Sequence, residues 1–267
     1  MALRFPFSSH QPPNQPNKPS GHRHFPLVAA AASIGLGVGL SLYLQSSNQP
    51  GPVRQNPWAF ASLSFADGAS ATSVEPKTGV SFPSVLDGTR RLLAAGVRKK
   101  SVFGLKNIDV YAFGVYADDN DVKELSKKYS ERKENKEVIS DVLDQDVRMT
   151  VRLQIVYGRL SIRSVRSAFE ESVGSRLLKF GGPDNKELLQ RFTSYFKDEY
   201  PLPRGSIIDL AKEKDFILQV KIDGKEVGSI QSKLLCKSVL DLYVGDDPFD
   251  KRAKEDFELG LESLLKT

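Results

Sequence analysis

Val147–Tyr157 reads VRMTVRLQIVY, and its alternation decides the fold class. Val147, Met149, Val151, Leu153 and Ile155 take one side of an extended chain, and Arg148, Thr150, Arg152 and Gln154 take the other, because successive strand side chains point to opposite faces. Strands of parallel sheets are buried on both faces and read as continuous apolar runs. A strand that is apolar on one side only belongs to an antiparallel sheet with one covered face and one wet face.

The neighbouring segments extend the sheet. Upstream, Ile108–Tyr116 places Tyr111, Phe113 and Val115 on one face and Val110, Ala112 and Gly114 on the other. Arg91–Val97 is a short apolar run, Val102–Leu105 another, and Lys106 with Asn107 is read as a tight turn into Ile108. Gly79–Ser84 is the first short strand. Downstream, Phe216–Ile222 and Val227–Ile230 flank Asp223-Gly224, the signature of a two-residue hairpin.

Helices fill the gaps. Asp119–Tyr129 opens with acids, which favour a helix N-terminus. Ser130–Glu137 is a solvated charge run, and Glu137–Leu143 a further helical piece. Ile162, Val165, Phe169, Ser172 and Val173 recur at spacings of three and four up to Gly181-Gly182-Pro183. Asp184 or Asn185 then caps a helix striped by Leu188, Leu189, Phe192, Tyr195 and Phe196, which Pro201 and Pro203 break. Ser232–Val244 is helical and ends at Gly245. The last helix, within Asp246–Lys266, carries Phe249, Ala253, Phe257, Leu261 and Leu264. Strands, helices, strands, helices is not a βαβαβ order. It predicts an α+β fold: an open-faced sandwich of a large antiparallel β-sheet covered on one face by a layer of α-helices. Such a pair of layers can hold an elongated apolar cavity.

Charge divides the chain in two. No acidic residue precedes Asp67, whereas Arg4, Lys18, Arg23 and Arg54 do. The net charge of +5 is therefore mostly tail: the rest holds 34 of the 38 basic residues against all 33 acidic ones. That near-neutral part lacks the sustained basic face of a nucleic-acid binder. Residues 1–69, rich in Ser, Pro and Asn, read as an organelle transit tail ahead of a domain at 70–267. Within the tail, Phe25–Leu44 is uncharged and long enough to span a bilayer. It is part of a removed peptide, a retained anchor or the second half of a bipartite signal, and membrane contact follows only if it is retained.

The same division limits the chemistry. His10, His22 and His24 all lie in the tail, so the domain has no histidine base or histidine metal site. One cysteine, Cys236, gives neither a disulfide nor a cysteine-cluster metal site. No phosphate-binding loop, nucleophile elbow or dinucleotide fingerprint is present. The expectation is no metal, no cofactor and no nucleic acid. The acidic pairs Asp118-Asp119 and Asp246-Asp247 read as helix N-terminal charges. Three residues stay open. Arg98 ends an apolar run and is either a solvated strand end with Lys99 and Lys100 or a charge beside a cavity. Tyr111 is either a core aromatic with its hydroxyl at the surface or a donor into that cavity. Ser172, on an otherwise apolar helix face, either bonds the carbonyl four residues back or faces the cavity. An Arg and a phenol together would hold a carboxylate, the guanidinium fork giving two parallel bonds and the phenol a third.

Ala95–Arg98 (AGVR), Val110–Tyr116 (VYAFGVY) and the helix start Ser232–Leu235 (SKLL) resemble the chalcone isomerase family, with its G-V-R, F-T-A-I-G-V-Y and N-K-L-L motifs. The resemblance covers roughly Val74–Lys266. Asn107–Tyr116, Met149–Val173 and Leu240–Phe257 are similar to the plant plastid fatty-acid-binding branch. The resemblance implies the chalcone isomerase fold. It also implies that Arg98 keeps the family's substrate-binding arginine while the catalytic threonine falls at Tyr111, the tyrosine at Ser161 and the asparagine at Ala168. The family's hydroxyl-binding position on the later helix falls at Cys236. A non-enzyme follows: a protein of the plastid (chloroplast) stroma that binds medium to long fatty acids by the carboxylate at Arg98 and Tyr111, with Ser172 one helical turn beyond Ala168 as a third partner. The alternatives are a non-catalytic helper of the flavonoid pathway and, last, an active chalcone-flavanone isomerase.

Overall fold

The computed structural model describes residues 71–102, 106–129 and 141–266. The chain divides into two units, Met1–Leu63 and Ser64–Thr267, and every described residue belongs to the second. The tail with its apolar segment Phe25–Leu44, the charge run Ser130–Glu137 and the first part of Glu137–Leu143 lie outside the described residues.

Seven strands pair in chain order, each antiparallel to the next: β3 (Val85–Leu86), β4 (Arg90–Val102), β5 (Lys106–Asp118), β6 (Met149–Ile155), β7 (Ile207–Glu213), β8 (Ile217–Ile222) and β9 (Lys225–Gln231). A separate two-stranded ribbon joins β1 (Thr72–Val74) to β2 (Ser81–Pro83). The helices are α1 (Asp119–Tyr129), α2 (Ile162–Gly181), α3 (Lys186–Thr193), α4 (Lys233–Val244) and α5 (Lys251–Leu265). Strand neighbours in sequence are thus neighbours in space, and the seven strands form a simple antiparallel meander.

The inward stripe of Val147–Tyr157 behaves as its alternation predicts: Met149, Val151, Leu153 and Ile155 are buried under the helices with Phe113, Phe169, Val173, Val239 and Phe257. The other face is drier than expected. Thr150 is 3% exposed and accepts a 2.6 Å hydrogen bond from the buried Arg90. Arg152 reaches across to Asp209 on β7 with two parallel bonds of 2.8 and 2.9 Å. Phe82, Leu86, Ala112 and Tyr116 form a second apolar cluster there, because the chain before β4 folds over this face.

Several boundaries differ from the sequence reading, each for a tertiary reason. Lys106 and Asn107 are not a turn; they pair with Val102 and Ser101 inside one long hairpin. The strand β7 carries no sequence signal, since IIDLAKE does not alternate: Asp209 and Lys212 are buried beside Ile208 and Leu210, one held by Arg152 and the other by the carbonyls of Val142 and Gln145. Helix α3 stops at Thr193, eight residues before Pro201. Beyond it Tyr195 lays its ring where Gly228 has no side chain and donates from its hydroxyl to the Ser229 carbonyl at 2.8 Å. Asn185 holds the position before α3 without capping it by its side chain, which bonds back to the Gly182 carbonyl. Asp246 and Asp247 precede α5 by several residues; its cap is Asp250, and the acidic pair faces Lys179 and Arg176 of α2 instead. Phe249 likewise lies outside α5.

Candidate functional site

The site begins with the sequence AGVR on β4. Gly96 is placed where α5 starts against the sheet: a β-carbon there would stand 2.6 Å from Cβ of Ala253 and 2.7 Å from the ring of Phe113. With no side chain at Gly96, α5 can approach, and its capping residue Asp250 also accepts from the Val97 backbone N–H at 3.2 Å. Just beyond, the β4–β5 register slips between Arg98 and Lys99. Arg98 is thereby fixed beside the 246–250 loop and opposite Tyr111, on the helix-covered face. Side chains paired directly across antiparallel strands are close enough to share one ligand.

A cavity of about 690 Å³ opens there between the sheet and α2, within the usual size of small-molecule sites. Arg98, Ile108, Val110 and Tyr111 form its sheet wall, Val165, Ala168 and Phe169 its helix wall, and Leu160, just before α2, adds to the lining. Arg98 and Tyr111 are thus brought together in one cavity. Ser172 lines the same cavity, but its hydroxyl donates to the Ala168 carbonyl at 2.6 Å. Cys236 does not join them: it is fully buried with its thiol on the Phe216 carbonyl at 3.3 Å, and burial pushes its pKa up to about 12, far from thiolate chemistry.

The charges are unequal. On the helix side, Arg176 is neutralised by Asp241 at 2.9 Å and holds the Asp247 carbonyl at 2.6 Å. Arg98 has no carboxylate partner among the described residues. One face of its guanidinium is stacked on Phe249, 3.7 Å from the ring centroid, so its in-plane N–H edges remain for a ligand. Phe249 packs edge-on against Tyr243 of α4, with ring centroids 5.5 Å apart, and Tyr243 packs edge-on against Phe113 at 5.0 Å. The Tyr243 hydroxyl is 3.3 Å from that of Tyr111. Burial pushes the Tyr111 phenol up to about 12, against the lowering effects of the Tyr243 bond and the Arg98 charge. Burial raises Tyr243 too, well above the ordinary tyrosine value. Both phenols are therefore neutral donors at physiological pH, beside the Arg98 cation.

Phe249 and Tyr243 are site-supporting residues that the sequence reading missed. Phe249 fits the apolar spacing of α5, and Tyr243 is one of many buried residues on α4. Their common signal is only that an aromatic stands on either side of the GDDP turn, which by itself points nowhere.

The comparisons agree on one family. The family described as "Chalcone isomerase like" matches residues 123–258. "Fatty-acid-binding protein 1" of Arabidopsis thaliana is 52% identical over 96% of this chain and 96% of its own length. "Chalcone isomerase-like protein 1" of Humulus lupulus is 33% identical, over 75% of this chain and 96% of its own. The crystal structure of an Arabidopsis thaliana fatty-acid binding protein superimposes with a TM-score of 0.70 at 57% identity, covering 74% of this chain and all of that one. The curled antiparallel sheet with its helix layer is thus the chalcone isomerase-like fold, and the chain belongs to the chalcone isomerase-like family.

Proposed function

We propose that this protein binds fatty acids and does not transform them. The observation that carries the reading is Arg98: a half-buried guanidinium at a largely apolar cavity, without a carboxylate of its own among the described residues, opposite a phenol held neutral. A carboxylate headgroup supplies the missing counter-charge, accepting from the edge of Arg98 and from Tyr111. The alkyl chain lies along the apolar wall, each buried methylene contributing about 0.8 kcal/mol. The fatty-acid-binding relatives support the same ligand class.

The absence of turnover is argued from the cavity wall. Ala168, where the family resemblance expects an asparagine, offers a methyl group. Ser161, at the tyrosine position, caps α2 by accepting from the Ser164 N–H at 3.1 Å. Ser172 is the weakest member of the proposed set, since its proton is already engaged. We assign the protein to the plastid stroma on the acid-free composition of residues 1–66.

Native mass spectrometry of the protein purified without added lipid, followed by organic extraction, tests the reading. The expected result is a bound mass matching a fatty acid, with chalcone cyclisation no faster than the spontaneous rate. Protein that is empty and takes up no added fatty acid would overturn it.

A further inference from the structure

Two phenols meet at the edge of the cavity, and only one of them faces it. Tyr111 lines the cavity, whereas Tyr243 is 0% exposed and lies behind it on α4. Their hydroxyl oxygens are 3.3 Å apart, and Tyr111 is the partner recorded for Tyr243 among the described residues. Two hydroxyls bring two protons, and the bond between them uses one. If Tyr111 donated, the Tyr243 O–H would be left in the interior with no acceptor, and a buried unsatisfied donor costs the full desolvation of the group. If Tyr243 donates, every polar group is satisfied. The proton left over then belongs to Tyr111, which faces the space a ligand fills.

We infer that Tyr243 is a positioning residue for the ligand headgroup: its hydroxyl donates to Tyr111 and so directs the Tyr111 O–H into the cavity, toward an anionic or carbonyl oxygen. The inference rests on the fatty-acid reading and deepens it by adding a relay from α4 to the headgroup. An O–H that accepts one hydrogen bond while donating another is polarised, and the donated bond strengthens. The Tyr243 ring has a second use. Its edge contact with Phe249, centroids 5.5 Å apart, backs the ring on which Arg98 is stacked. One side chain of α4 thus stands behind both headgroup partners, by its hydroxyl for Tyr111 and by its ring for Arg98. Removing only the hydroxyl separates the two uses.

The test is a double-mutant cycle in the full chain, titrated with palmitate by calorimetry after delipidation: the parent, Tyr243→Phe, Tyr111→Phe and the double variant. Tyr243→Phe keeps the ring. It is expected to weaken palmitate binding roughly two- to tenfold, the range of one ordinary hydrogen bond. In the Tyr111→Phe background the same change is expected to leave affinity within about twofold, because the residue through which it acts is gone. A purely structural role would give equal losses in both backgrounds, and that result, or parental affinity in Tyr243→Phe, overturns the inference while leaving fatty-acid binding intact. A parent that does not bind palmitate overturns both. Nuclear magnetic resonance of the unaltered protein provides a readout that needs no variant to fold. The Tyr111 hydroxyl proton should move downfield on palmitate addition, and no movement at either phenol would also overturn the relay.

Discussion

Arg98 is costly to keep half out of water without a counter-ion, and that cost is what a carboxylate ligand would relieve. Its aromatic neighbour Phe249 fixes the plane of the guanidinium and leaves the charge in place. At this scale the three headgroup candidates should rank. Tyr111→Phe removes a donor whose proton has nowhere better to go, and should weaken palmitate binding about fivefold, within the range for one hydrogen bond. Ser172→Ala removes a hydroxyl already spent on the Ala168 carbonyl, and should change affinity less than Tyr111→Phe in the same titration. A larger loss for Ser172→Ala would mean that the serine rotates toward the ligand. Local pattern alone left all three residues open. The alternation of Ile108–Tyr116 put Tyr111 on the covered face, but nothing in one strand says that Arg98 stands opposite. That pairing depends on the β4–β5 register and its bulge. Tyr243 and Phe249 were illegible because their roles arise from contact with residues more than a hundred positions away.

Elements explain why the site has its shape. The approach of α5 to β4 sets where the 246–250 loop lies, and Gly96 is its seat. Gly96→Val should force α5 outward and destabilise the fold by about 1–3 kcal/mol, the usual cost of overpacking a tight contact, read as a lower midpoint in urea denaturation. An unchanged midpoint would mean that the helix shifts freely. The sequence displayed the strong periodicities well: the stripes of α2 and of α5 from Ala253 on, the alternation of β6 and the Asp223-Gly224 turn, whose residues both take positive φ. It failed where burial is two-sided or polar. In β7, Asp209 and Lys212 sit in the interior because Arg152 and two backbone carbonyls receive them, and no one-dimensional pattern shows a partner 57 or 70 residues away. In α3, the stripe runs on through Tyr195 and Phe196, yet the chain leaves the helix to place the Tyr195 ring over Gly228.

The described domain is a meander covered by helices, and one of its polar ties joins α1 to the start of β6 and the end of β7. Asp121, in the first turn of α1, receives two side-chain bonds from Arg148 at 2.9 and 3.0 Å and faces Lys214 at 2.9 Å. Burial works against its charge, but these hydrogen bonds and cations prevail and hold its carboxyl down at about 2. A carboxylate whose folded pKa lies below its unfolded value contributes stability that is present above about pH 4 and is lost as pH falls from there toward 2. The parent should therefore lose stability across that window more steeply than Asp121→Asn, in thermal melts at stepped pH. Parallel curves would remove Asp121 from the acid response.

An arginine without a carboxylate partner among the described residues, set in a largely apolar cavity, should select a carboxylate. Calorimetric titration of the delipidated protein with palmitate, for the parent and for Arg98→Ala, measures that selection. Hydrogen bonds to charged groups contribute roughly 1.5–3 kcal/mol, so the variant should bind about ten- to a hundredfold more weakly while melting as a folded protein. Equal affinities for the two proteins would mean that Arg98 does not hold the carboxylate, whatever the fold.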